Sequence, residues 1–180
     1  EDHIIGIGKE TAGGNEDFSW YQGVKISLFD VSDVENPVEK AKIEIGDRGT
    51  NSDALRNHKA VLFDKEKEIL VLPIQLHKID ESKYGEKEIP ENAYGERVWQ
   101  GAFVLDINLE GISERGRITH DSKNPKENEY GYVSFDYNKQ IKRSLYMGDT
   151  LYTISNSIVK ANKLDSLDGV DFVEWETDNG

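Results

Sequence analysis

The sequence contains no cysteine, which excludes a disulfide frame and any thiolate metal site. No apolar run approaches the ~20 residues that a helix needs to cross a bilayer, so no membrane span is expected. Nor does the sequence open on a basic stretch followed by an apolar one, the pattern of a signal peptide. Basic residues are scarce: 22 Lys and Arg stand against 35 Asp and Glu, a formal net charge of −13. A chain this acidic repels phosphate backbones, and nucleic acid is not an expected partner. The bland reading of the same charge is solubility at a polar surface. A sustained 3.6-residue apolar period is missing as well, which argues against a helical architecture. Residues 52–58 can hold one helical turn and no more. Gly6 and Gly8 invite a nucleotide-loop reading, but neither a following helix nor the remaining phosphate-loop pattern accompanies them. Glu1 leads almost directly into an apolar run, and we expect the true start of the polypeptide to lie upstream.

What is present is a repeat. Three segments read as a β-hairpin followed by a strand that ends on an acidic turn. The third strands are 24–31 (VKISLFDV), 102–107 (AFVLDI) and 158–164 (IVKANKL), closed by Asp30, Asp106 and Asp165. The first two begin alike, with Trp20-Tyr21-Gln22-Gly23 and Trp99-Gln100-Gly101. Their Gly-to-Asp distance differs by two residues, a full pleat, so the inward face is preserved. Self-similarity of this kind marks a radial repeat. With the innermost strand of each unit called A, the chain runs B–D (3–8, 24–31, 38–45), then A–D (58–63, 69–74, 98–107, 112–119), then A–D again (143–147, 151–155, 158–164, 170–175).

The expected fold is therefore all-β: a β-propeller of about three four-stranded blades, the first lacking strand A, in an incomplete ring. All of 1–180 is one segment, divided into blades at 1–46, 47–120 and 121–180. A sandwich that folds alone is the rival, disfavoured because the units meander without a Greek-key crossover. Fewer than three complete blades leave open edges. The expected partners are thus the remaining blades of a larger propeller or a second copy in a homo-oligomer.

The strings FSWYQGVKISLFDVSDVENPVE, GDRGTNSDALRNHKAVLF, NAYGERVWQGAFVLDI and KRSLYMGDTLYTISN resemble a β-propeller domain family of secreted archaeal and bacterial proteins, distantly related to WD-repeat propellers. The resemblance covers nearly the whole chain. It implies the C-terminal part of a larger propeller, exported to the cell envelope or the medium. One departure is Asn57, where the pattern leads us to expect an acid before His58.

In a propeller the B–C and D–A connections share one rim. Here 9–23, 46–57, 75–97 and 120–142 are long and belong to that rim, while 32–37, 64–68, 108–111 and 148–150 are short and belong to the other. Long ordered loops on a rigid scaffold are a common way to build a binding site. The candidate binding rim is Trp20, Tyr21, Arg48, His58, His77, Tyr94, Trp99 and His120, with Asp47 and Asp121 as candidate metal ligands. Three imidazoles near carboxylates can bind a transition ion, although no pair has compact metal-ligand spacing. Histidines bonded to loop backbone are the simpler reading. Calcium is a further expectation, in the 120–130 loop or in the turn from Asp30 to Asn36, where carboxylate capping explains the residues without an ion. Trp20 and Trp99 read as packing anchors between blades, and Arg48 as an Arg–carboxylate brace for its loop.

The function expected from these features is a secreted or envelope scaffold. It would bind a protein or carbohydrate through the long-looped rim and self-assemble, with calcium as a support. The alternative is a hydrolase with its site on the same rim, metal-assisted or self-processing; Ser52 or Thr50 near His58 would supply a nucleophile and base. No Gly-x-Ser-x-Gly elbow accompanies them, and the enzyme reading takes second place.

Overall fold

The structure, a computed structural model, describes residues 2–15, 18–121 and 133–177. Among the described residues eleven strands run in chain order: β1 (His3–Asn15), β2 (Phe18–Asp30), β3 (Val38–Ile45), β4 (Leu62–Asp64), β5 (Ile69–Lys78), β6 (Glu96–Asn108), β7 (Gly111–Ile118), β8 (Arg143–Met147), β9 (Thr150–Ile154), β10 (Ile158–Lys163) and β11 (Gly169–Glu174). They form three antiparallel meanders, β1-β2-β3, β4-β5-β6-β7 and β8-β9-β10-β11. The all-β expectation holds, with one three-stranded and two four-stranded sheets that do not close into a ring. Three short 3-10 turns interrupt the long connections at Asp53–Leu55, His58–Ala60 and Glu81–Lys83, and a fourth lies at Tyr137–Lys139.

The middle sheet supplies the wall of two cores. Leu70, Leu72, Ile74 and Leu76 of β5 and Phe103, Leu105 and Ile107 of β6 pack with Val24, Ile26 and Ile45 of the first sheet. The intervening residues Ile69, Val71, Ala102 and Val104 pack with Ile118, Ile141, Leu151 and Leu164, toward the third sheet. This two-sided burial explains why β5 reads as a continuous apolar run rather than an alternating one. Each Gln-Gly pair at the start of a repeat serves a tight approach. A Cβ on Gly23 would meet the carbonyl oxygen of Gly46 at 2.2 Å, and one on Gly101 that of Ile118 at 2.2 Å. Only a residue without a side chain lets the central strand come this close to its outer neighbour.

The outward faces of the terminal sheets differ. On the first, Gly6, Gly8, Lys25, Ser27 and Phe29 line a cavity of about 270 Å3. Lys25 pairs with Glu10 and Glu39, and Lys42 with Glu44 and Glu10. On the third, the rows Arg143–Ile154–Val159–Val173 and Leu145–Tyr152–Ala161–Asp171 lie opposite the face that Leu151 turns toward the middle sheet. Leu145, Met147 and Val173 are exposed there.

Candidate functional site: an aromatic and arginine cluster on the long-looped rim

Two of the long connections turn out to be extended hairpins. The β1–β2 ladder continues past the sheet to the pair Asn15–Phe18, with register shifts after Lys9 and Ala12. The β5–β6 ladder likewise reaches Lys78–Glu96. These arms and the connection between β3 and the first 3-10 turn meet at Arg48. Its guanidinium carbon lies 4.6 Å from the Trp20 ring centroid and 5.7 Å from that of Tyr94. Nη1 donates to the Tyr21 carbonyl at 3.3 Å. Nε is buried without a hydrogen-bond partner. Arg48 forms no ion pair among the described residues, so the expected Arg–carboxylate brace is corrected: the partners of Arg48 are aromatic faces.

The carboxylate that does brace this loop belongs to Asp47, which accepts from the Ile79 amide at 2.8 Å and from Lys78 Nζ at 3.3 Å. Thr50 Oγ1 accepts from the His77 amide at 3.0 Å and donates to its carbonyl at 3.1 Å. The His77 ring meets Tyr94 edge-to-face, with centroids 6.0 Å apart. Burial holds the His77 imidazole below its ordinary pKa, so it is neutral at pH 7. Gly49, at φ +108°, packs against both rings, and a Cβ there would come within 2.7 Å of Tyr94. Lys9 reaches across from β1 to donate to the Thr50 carbonyl; burial lowers its pKa.

A second node lies where the middle sheet meets the third. Arg97 stacks over Phe135 at 4.9 Å and donates to Gln100 Oε1. Asp121 is pushed above the usual carboxylate range by burial, and its Oδ2 has no hydrogen-bond partner. His120 is 6% exposed. Its Nε2 lies 2.8 Å from Thr153 Oγ1, while Nδ1 has no hydrogen-bond partner. Burial, with Lys160 and Lys139 adding repulsion, lowers its pKa to about 4.

The rim residues expected from sequence thus fall into separate groups. Trp20, Tyr21, Arg48, His77 and Tyr94 come together. Trp99 packs edge-on to Phe103 at 5.4 Å and joins the core between the first two sheets, as an interblade anchor does. His58 is exposed and sits in a 3-10 turn capped by Asn57, not at a strand end. No group of three metal-ligating side chains occurs among the described residues. Asp30 and Asp33 accept from Ser32, Glu35 and Asn36 in a capped turn. The calcium expectation at 120–130 falls, beyond Asp121, outside the described residues. Ser52 Oγ donates to the Pro73 carbonyl at 2.6 Å and accepts from the Ala54 amide. The hydroxyls suggested as nucleophiles therefore tie their loop to the backbone of β5.

Two residues were noted in the sequence only as neighbours of a glycine. Gln22 Nε2 donates to the Glu91 carbonyl and Gln100 Nε2 to that of Asp136, each at 2.9 Å. Each glutamine thereby ties the entry of a central strand to a long connection further along the chain. The repeated Gln-Gly was the available signal.

Comparison with curated proteins and with solved structures finds no match. The profile of one family, described as the beta propeller domain, matches residues 1–167. Three antiparallel meanders with apolar cores between successive sheets agree with that match, and the chain belongs to the beta propeller domain family.

Proposed function

We propose that the chain is a binding scaffold, secreted or held at the cell envelope, whose long-looped rim takes a protein or carbohydrate partner. The supporting observation is the convergence of three long connections from two sheets on Arg48. Tyr21 and Tyr94 remain 65% exposed beside it. The other strand ends close in short turns braced by Glu68 to Ile107 and Asp149 to Leu164. Extended hairpins fixed to rigid sheets present such groups with little entropic cost on binding.

The reading extends to assembly. The apolar outer face of the third sheet favours cover, by further blades or by a second copy. A carbohydrate array and a pull-down from envelope extract, each run with the chain and with a deletion of 82–92, test the rim. The deletion is expected to remove binding while the sheets melt as before. Unchanged binding would move the site elsewhere. Light scattering with and without a calcium chelator tests assembly and its dependence on an ion.

A further inference from the structure

Resting on that rim-binding reading, we propose that Arg48 is the anchor for a carboxylate, and that the ligand of this cluster is a uronic-acid sugar. Three observations converge. The guanidinium is fixed by aromatic contacts and one 3.3 Å hydrogen bond to the Tyr21 carbonyl, so its donor edge is oriented before any ligand arrives. With Nε buried, the Nη end of a planar guanidinium held this way suits charge-assisted hydrogen bonding to a carboxylate. The neighbouring acid is already committed: Asp47 is engaged by Ile79 and Lys78. Arg48 therefore carries no internal counter-ion among the described residues. Finally, burial holds the adjoining His77 below its ordinary pKa, so its imidazole adds little charge beside the guanidinium.

The surroundings choose between anions. On this rim Asp47, Asp80 and Glu96 are paired with Lys78 and Lys83, in a chain of net charge −13. The net negative field of the chain disfavours a phosphate dianion and tolerates a single carboxylate neutralised by Arg48. The body of the ligand follows from Tyr94, whose ring contacts Arg48 yet is 65% exposed. Such a ring offers a flat amphipathic platform next to the anion position. The cavity on the outer face of the first sheet and a second one, between Asp136 and Trp175, open elsewhere. A flat, hydrated pyranose fits this platform better than a peptide side chain that needs an apolar pocket.

Saturation-transfer NMR of the chain with D-glucuronate, D-glucose and N-acetylglycine tests the assignment. Glucuronate is expected to bind saturably, and glucose and N-acetylglycine at least tenfold more weakly. Arg48→Lys, which keeps the charge and loses the fork, is expected to weaken glucuronate about tenfold. Tyr94→Ala, which removes the platform and keeps the Arg48 contacts to Trp20 and the Tyr21 carbonyl, is expected to weaken it as well. The thermal melt of each variant verifies folding. Equal binding of glucuronate and glucose, or an unchanged affinity in folded Arg48→Lys, would overturn the carboxylate anchor. N-acetylglycine binding as well as glucuronate would overturn the sugar. Array binding to neutral glycans that is lost on deleting 82–92 would overturn this inference and leave the rim reading standing. Binding insensitive to that deletion would overturn the rim reading itself.

Discussion

Between the first and middle sheets, Leu70, Leu72, Ile74 and Leu76 meet Val24, Ile26 and Ile45 under a fully buried Phe103. The charged groups at this seam stay on the rim, where Arg48 lies over rings and Lys9 and His77 are only part-buried. Between the middle and third sheets the apolar layer of Val71, Val104, Ile141 and Leu151 is accompanied by a deeply buried imidazole, His120. At the far side of this second seam, Arg115 Nε donates to Asp106 at 2.9 Å and its Nη1 to the Leu164 carbonyl at 2.9 Å. Tyr146 also donates to Asp64. One fold thus closes two equivalent seams by different means. The first depends on volume and shape, and the second also on protonation state.

The largest test of that contrast is volume. Phe103→Ala is expected to cost about 3–5 kcal/mol and Leu151→Ala about 2–5 kcal/mol, read by urea unfolding. A larger loss at Leu151 would break the ordering of the two seams. Acidification comes next. The His120 imidazole takes its proton near pH 6.5 when unfolded and near pH 4 when folded. The unfolded state therefore binds more protons in that window, and stability falls as pH drops through it, by roughly 3 kcal/mol at most. Asp121 works the other way: its raised pKa means that the folded state gains a proton first, which offsets part of the loss. His120→Gln should flatten the profile, and hydrogen exchange should show the acid-induced opening first in β9. His77 adds a loss of the same sign at the first seam, and opening there first would reverse the comparison.

Smaller effects follow. Arg115→Ala removes a part-buried ion pair and a carbonyl contact, and is expected to cost about 1 kcal/mol by chemical denaturation. Lys42→Ala on the outer face of the first sheet should leave the melting temperature unchanged, because its pairs with Glu44 and Glu10 are exposed to solvent screening.

The sheets were legible because apolar alternation and acidic turns act locally. The repeat located every central strand. Strand length beyond the sheets was not legible. Gly13-Gly14-Asn15 has the composition of a loop, yet the ladder absorbs it through register shifts. Nor was the partner of Arg48: Asp47 stood beside it in sequence, but the Ile79 amide and Lys78 claimed that carboxylate. Trp20 and Tyr94 reach Arg48 only because two hairpins outgrow their sheets. The three histidines shared a predicted rim, but burial divides them: His58 is exposed and His120 lies deep in the second seam.

The alternation along β5 gives the middle sheet two independent addresses. Leu70, Leu72, Ile74 and Leu76 speak only to one neighbour, and Ile69 and Val71 only to the other. Substitutions at even positions can therefore retune one junction while odd positions keep the other intact. A lineage, or a designer, can exchange the blade on one side of this strand without renegotiating the blade on the other.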